Sequence, residues 1–128
     1  GESMSETPSC SCGGAPKLIY PCSGSADVGA LADLAARQMT RDGSGKMSCL
    51  AGIGGRVSGL MASTECASKV LAMDGCPLNC AKKTLELAGF SGFEHLCLAD
   101  IGFQKGQSPA TPEHVAKVAQ AAAPKLAG

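Results

Sequence analysis

Residues 70–89, VLAMDGCPLNCAKKTLELAG, change from one structural pattern to another within a few positions. The first four are apolar and β-favouring, as in a buried strand, and the run stops before Gly75. After Pro77, apolar residues recur every three or four positions, as in an amphipathic helix that Gly89 would end. We therefore predict a strand, a turn and a helix, with Pro77 in the first helical position and Cys76 as its N-cap.

The same order of elements occurs on both sides of this unit. Residues 18–20 form a short apolar run, followed by a turn and a helical pattern that Ser25 would cap and that would end near Asp42. A third strand is predicted at about 95–99 and a last helix from Thr111. Strands that alternate with helices favour parallel pairing, so the fold class is α/β, a small three-layer sandwich with a mainly parallel sheet.

Two segments lack a clear period. Residues 1–16 hold Ser, Thr, Pro and Gly around Cys10 and Cys12, and we predict a flexible N-terminal arm ahead of a single α/β domain at 17–128. Residues 43–59 are rich in glycine, and they support only a weak helix prediction at about 53–63.

Composition excludes several classes of protein. The 11 basic residues equal the 11 acidic ones, so no net field draws the chain to nucleic acid or to a membrane surface. No apolar run approaches the length of a membrane span, and no signal peptide is evident, so we expect a cytoplasmic protein. In that reducing compartment, the eight cysteines favour metal or thiol chemistry over a disulfide scaffold.

Four cysteines are the candidate ligands of a metal ion. Cys22 and Cys76 follow predicted strands, and ligands of parallel sheets bind at the carboxyl ends of the strands. Cys76 and Cys80 would share one face at a helix N-terminus, which favours thiolates. With Cys49, which lies beside Gly52, they would complete the tetrahedral set that zinc prefers. From the residues alone, a buried or redox role for these cysteines stays open.

Three segments resemble the DGC-domain family, to which zinc binding is attributed because of its cysteines. They are PCSGSADVG at 21–29, MSCLAGIGG at 47–55 and DGCPLNCAKK at 74–83, and the last contains the Asp-Gly-Cys tripeptide that names the family. The resemblance covers about residues 18–100. It implies a shared site at Cys22, Cys49, Cys76 and Cys80.

We expect a metal-binding protein rather than an enzyme, with zinc as the cofactor. Two alternatives use the same cysteines: a thiol redox or sulfur-transfer enzyme, with Cys22 or Cys76 as the activated thiolate, and an iron–sulfur protein. The other chemically reactive side chains are interpreted as structural or incidental, namely Cys66, Cys97, His95, His114 and the turn residue Asp74.

Overall fold

The computed structural model describes residues 15–128. The strands are β1 (Lys17–Pro21), β2 (Lys46–Met47), β3 (Lys69–Asp74) and β4 (Glu94–Cys97). The α-helices are α1 (Asp27–Asp42), α2 (Leu50–Gly54), α3 (Ser58–Cys66), α4 (Cys80–Leu87) and α5 (Pro112–Ala122), and 3₁₀ helices follow β4 (Leu98–Ile101) and α5 (Ala123–Leu126). Cys10, Cys12 and most of the predicted arm fall outside the described residues.

The described strands form one parallel sheet in the order β2-β1-β3-β4. The prediction of an α/β fold with a mainly parallel sheet is therefore confirmed. β2 was not predicted, because it has two residues in the glycine-rich segment. It is held by a contact from outside the sheet: the amide of Met47 donates to the hydroxyl of Thr40 on α1, at 2.9 Å.

Helices cover both faces of the sheet, which confirms the three layers. α1 and α5 pack on one face, against alternate residues of the central strands such as Ile19 and Leu71. α2, α3 and α4 lie on the other face, against Leu18 and Ala72. Because small residues line the helices, the layers approach closely with few aromatic side chains in the core.

The glycine-rich segment folds into two short helices rather than the single helix predicted at about 53–63. α2 ends at Gly54, and α3 begins at Ser58 after a turn in which Arg56 is left-handed, with φ of 57°. Gly52 explains part of the glycine content: a Cβ atom there would collide with the side chain of Leu60 on α3. Glycine at this position lets the side chain of Leu60 lie directly against α2.

The ends of α4 and α5 follow their sequence signals. The hydroxyl of Thr111 caps α5 by accepting the amide of His114 at 3.1 Å, with Pro112 in the first helical position. Gly89 is left-handed after α4, with φ of 97°, and its amide donates to a carbonyl of the last turn. Both predicted signals are confirmed.

The start of α1 differs from the prediction that Ser25 is the N-cap. Ala26 occupies that position and offers no side-chain bond, while the carboxylate of Asp27 accepts the amide of Val28 at 2.8 Å. The same carboxylate accepts the amides of Gly106 at 2.8 Å and Ser108 at 2.9 Å. Asp27 therefore ties a distant loop to the first turn of α1, which a local pattern does not reveal.

No helix of the described part of the chain combines the length and apolar character that crossing a bilayer requires.

We predict that Asp27→Asn destabilises the fold in a pH-dependent way. The hydrogen bond from Gly106, followed by that from Ser108, holds the pKa of Asp27 below its ordinary value. A lowered folded-state pKa stabilises the protein above the unfolded value of about 4, and this contribution is lost as pH falls through the folded pKa. Urea unfolding should therefore show a deficit for the variant at pH 7 that shrinks below pH 4.

Asp42→Asn is the matched control, since Asp42 accepts only from the side chain of Gln38 among the described residues. Its stability relative to the native chain should vary little over the same range. A deficit for Asp27→Asn that stays constant with pH would contradict the assignment.

Candidate metal centre

Two of the candidate cysteines lie at the point where the order of the strands in the sheet reverses. β1 and β3 are neighbours, and the chain leaves β1 toward β2 on one side and reaches β3 on the other. The amide of Cys22 donates to the carbonyl of Met73 at 2.8 Å, so the carboxyl ends of β1 and β3 are bonded together. Cys22 and Cys76 follow these ends and pack against the same core cluster. This crevice is the usual ligand position of a parallel α/β sheet.

Cys49 follows the neighbouring edge strand. β2 ends at Met47, and the amide of Ser48 donates to the carbonyl of Ile19 at 2.8 Å, which keeps this end beside β1. Cys49 is then the N-cap of α2, and its thiol is exposed. Three cysteines thus follow the carboxyl ends of three adjacent strands.

The fourth candidate, Cys80, is placed differently from the prediction. α4 begins at Cys80, and its N-cap is Asn79 in a left-handed conformation, with φ of 55°. The predicted helix start at Cys76 and Pro77 is therefore wrong. Cys76 lies in the turn before the helix, so Cys76 and Cys80 do not share a helical face.

Asp74 is the physical reason for the later helix start. Its carboxylate accepts the amides of Ala81 at 2.7 Å and Lys82 at 3.1 Å, in the first turn of α4. An anionic group is favourable at this end of a helix, and it satisfies N–H groups that have no helical partner. These amides are consequently committed to Asp74 rather than to the thiols, contrary to the expectation that the helix end would favour thiolates.

His95 contacts Asp74, and the sequence did not reveal this contact. Its Nε2 atom lies 2.8 Å from Oδ2 of Asp74, whose side chain is only 1% exposed. The pair joins β3 to β4 across 21 residues of sequence. No local signal could have found it, since parallel strands bring the two residues together only in the folded sheet. Asp74 thus has the structural role that we favoured, as a buried cap rather than a turn residue.

The middle residue of the Asp-Gly-Cys tripeptide permits a close backbone approach. A Cβ atom on Gly75 would lie 2.7 Å from the backbone carbon of Val28, in the first turn of α1. A backbone contact of this kind cannot be relieved by a side-chain rotation. Glycine therefore keeps the turn that carries Cys76 against α1.

A cavity of about 820 Å³ opens beside Cys22 and Cys49. From α1 it is lined by Asp33, Arg37 and Thr40, which lie about one turn apart on that helix. Thr84 of α4 also lines it, and Cys80 lies one turn before Thr84 on the same helical face. The cavity therefore borders Cys22, Cys49 and the helix that carries Cys80.

An ion pair on α1 forms part of the cavity wall. Nε of Arg37 donates to Asp33 at 2.7 Å, and the hydroxyl of Ser23 donates to the same carboxylate at 2.7 Å. Burial raises the pKa of Asp33, but the bonds from Arg37 and Ser23 outweigh it and leave the pKa below its ordinary value. The carboxylate is thus held ionised, and it fixes the guanidinium at the wall.

The four candidate cysteines are free thiols, which suits a soft metal ion, but they do not form a closed cluster. Among residues 15–128, no three His, Cys, Asp or Glu side chains stand in a metal-binding arrangement. Cys97 ends β4, and burial raises the pKa of its thiol, which opposes thiolate formation. Cys66, which we expected to be packed or incidental, is disulfide-bonded.

The fold and the cysteine positions define a small three-layer α/β protein with thiols at the carboxyl ends of its parallel strands. The sequence profile of the DGC domain matches residues 18–122, so the chain belongs to the DGC domain family, as its Asp-Gly-Cys segment suggested. It is 39% identical over 88 residues to the "Anaerobic and virulence modulator AnvM" of Pseudomonas aeruginosa, an alignment that covers 69% of this chain and 67% of that protein. No solved structure matches the chain.

We predict that Asp74→Ala lowers the free energy of unfolding by about 2–3 kcal/mol, because two amides and His95 lose a buried acceptor. Asp74→Asn should lose less, since its carboxamide keeps one acceptor oxygen. Guanidinium unfolding of the three proteins would measure both differences. A loss below about 0.5 kcal/mol for Asp74→Ala, the range of a neutral surface substitution, would contradict the capping role.

Proposed function

We propose that this protein binds zinc through the thiolates of Cys22, Cys49, Cys76 and Cys80. The observation that carries the proposal is the placement of three of these cysteines at the carboxyl ends of β2, β1 and β3. Thiol ligands are the donors that zinc prefers in tetrahedral sites, and the resemblance to the DGC-domain family implies a shared site at these four residues. When bound, the metal would supply a positive charge that stabilises four thiolates at one place.

Binding would require the thiols to move together. The turn at 76–79 is the segment suited to that change. Oδ1 of Asn79 is buried and has no hydrogen-bond partner among the described residues, and its backbone is left-handed. The unpaired oxygen and the left-handed backbone both make this turn less stable than the elements around it. A rearrangement here would move Cys76 while Asp74 holds the start of α4 in place.

Cys49 is also placed to adjust. It follows a two-residue strand, its thiol is exposed, and α2 after it has five residues. Short elements with few hydrogen bonds open at low free-energy cost. Cys22, by contrast, is held by its backbone bond to β3 and provides a fixed point for the site.

A thiol enzyme is the second candidate function. The exposed thiol of Cys49 beside a cavity of about 820 Å³ is the observation that favours it, since a nucleophile must be open to its substrate. An iron–sulfur protein would use the same four ligands. The metal content of the purified protein separates all three functions.

We predict one zinc ion per chain and no visible absorption in protein purified under anaerobic conditions without added metal. Elemental analysis and an absorption spectrum provide the measurement. Brown protein that contains iron and sulfide would instead identify an iron–sulfur protein and contradict zinc binding. Protein without metal that also fails to take up added zinc would contradict the proposal and favour the thiol enzyme.

Single Cys→Ser variants test the ligand set. Serine at Cys22, Cys49, Cys76 or Cys80 should weaken zinc binding by more than about 100-fold, because even loss of a group that supports a ligand costs 10–100-fold. Competition with a chromophoric chelator measures the affinity. Cys97→Ala is the control, since that buried thiol acts as a small apolar side chain and should leave zinc binding unchanged. Native affinity in Cys76→Ser and Cys80→Ser would remove the proposed site.

A further inference from the structure

We propose that the cavity beside Cys22 and Cys49 is a binding site for a small organic acid. Arg37 would hold the carboxylate, and the apolar part of the acid would lie against Met47, Leu50 and Ala51. This binding would be distinct from metal binding, because the acid is recognised by groups other than the thiols.

The guanidinium of Arg37 has donors available for the acid. Its Nε atom is used by Asp33, and neither of its terminal nitrogens donates to an acceptor in the described part of the chain. Guanidinium groups recognise carboxylates through two parallel hydrogen bonds, which needs a pair of such nitrogens. The bond to Asp33 keeps the group at the cavity wall, so less rotamer freedom is lost when a ligand binds.

The rest of the wall sets the ligand class. The cavity of about 820 Å³ has the size of small-molecule sites, which combine an apolar lining with a few polar groups. Met47, Leu50 and Ala51 supply apolar surface from β2 and α2. A simple inorganic anion would leave this surface uncovered, whereas an organic acid would cover it.

The thiols make the site testable without metal. Cys22 and Cys49 both line the cavity, so an acid that carries an electrophilic carbon would be directed to them. Iodoacetate is such a probe: the thiolate attacks its methylene carbon, a carbon–sulfur bond forms, and iodide leaves with the electron pair. Iodoacetamide undergoes the same reaction without the negative charge.

The test measures both alkylation rates at Cys49 in reduced, metal-free protein by peptide mass spectrometry. Arg37→Gln should lower the ratio of the iodoacetate rate to the iodoacetamide rate by about threefold, as expected for one partly exposed ion pair. Arg41→Gln is the control, since Arg41 lies one turn further along α1, bonds to Gln38 and does not line the cavity. A ratio equal in the native chain and Arg37→Gln would overturn the proposal.

The double variant Asp33→Asn with Arg37→Gln removes both charges. Its ratio should stay below the native value, because no guanidinium remains. Return to the native ratio would show that an unpaired Asp33 carboxylate had repelled the probe, and it would overturn the role of Arg37.

Competition tests the apolar part of the ligand. Hexanoate should slow the reaction of iodoacetamide with Cys22 and Cys49, and inorganic phosphate at the same concentration should not. Equal protection by phosphate, or none by hexanoate, would overturn the organic-acid class. Because no metal is present, these outcomes are independent of whether the protein binds zinc.

Discussion

The carboxylate of Asp74 is the point at which the sheet, α4 and the candidate site are joined. It is almost fully buried, yet it accepts two amides from the first turn of α4 and contacts the ring of His95 on the neighbouring strand. A buried charge is tolerated only when such partners compensate for its lost hydration. The start of α4, and hence the position of Cys80, depends on this one side chain. Cys76 follows Asp74 by two residues, so its position in the turn also depends on where Asp74 is held.

Each residue of the Asp-Gly-Cys tripeptide therefore has a separate physical role. Asp74 caps the helix, Gly75 allows the turn to lie against the backbone of α1, and Cys76 presents a thiol where β1 and β3 meet. Two further candidate ligands lie at the same crevice, because Cys22 and Cys49 follow the carboxyl ends of β1 and β2. Both of these cysteines line the cavity of about 820 Å³, so they are not enclosed in the core.

Hydrophobic periodicity was sufficient to predict the layers, three of the four described strands and the placement of Cys22 and Cys76 at strand ends. It failed where a contact between distant residues determines local structure. β2 is too short to show a period, and a hydroxyl on α1 holds it. Pro77 and Cys76 have the local pattern of a helix start, but the carboxylate of Asp74 caps amides further along the chain. Asp74 meets His95 only because β3 and β4 are neighbours in the sheet, where His95 is paired with Ala72, two residues before Asp74.

The proposed zinc site requires thiols carried by separate elements of the fold to converge on a single metal ion. X-ray absorption at the zinc edge of the zinc-loaded protein tests this convergence directly. Four sulfur neighbours at about 2.3 Å, the usual zinc–thiolate distance, are the predicted result. A first shell dominated by nitrogen or oxygen at about 2.0–2.1 Å would contradict it, because zinc would then be bound by other groups.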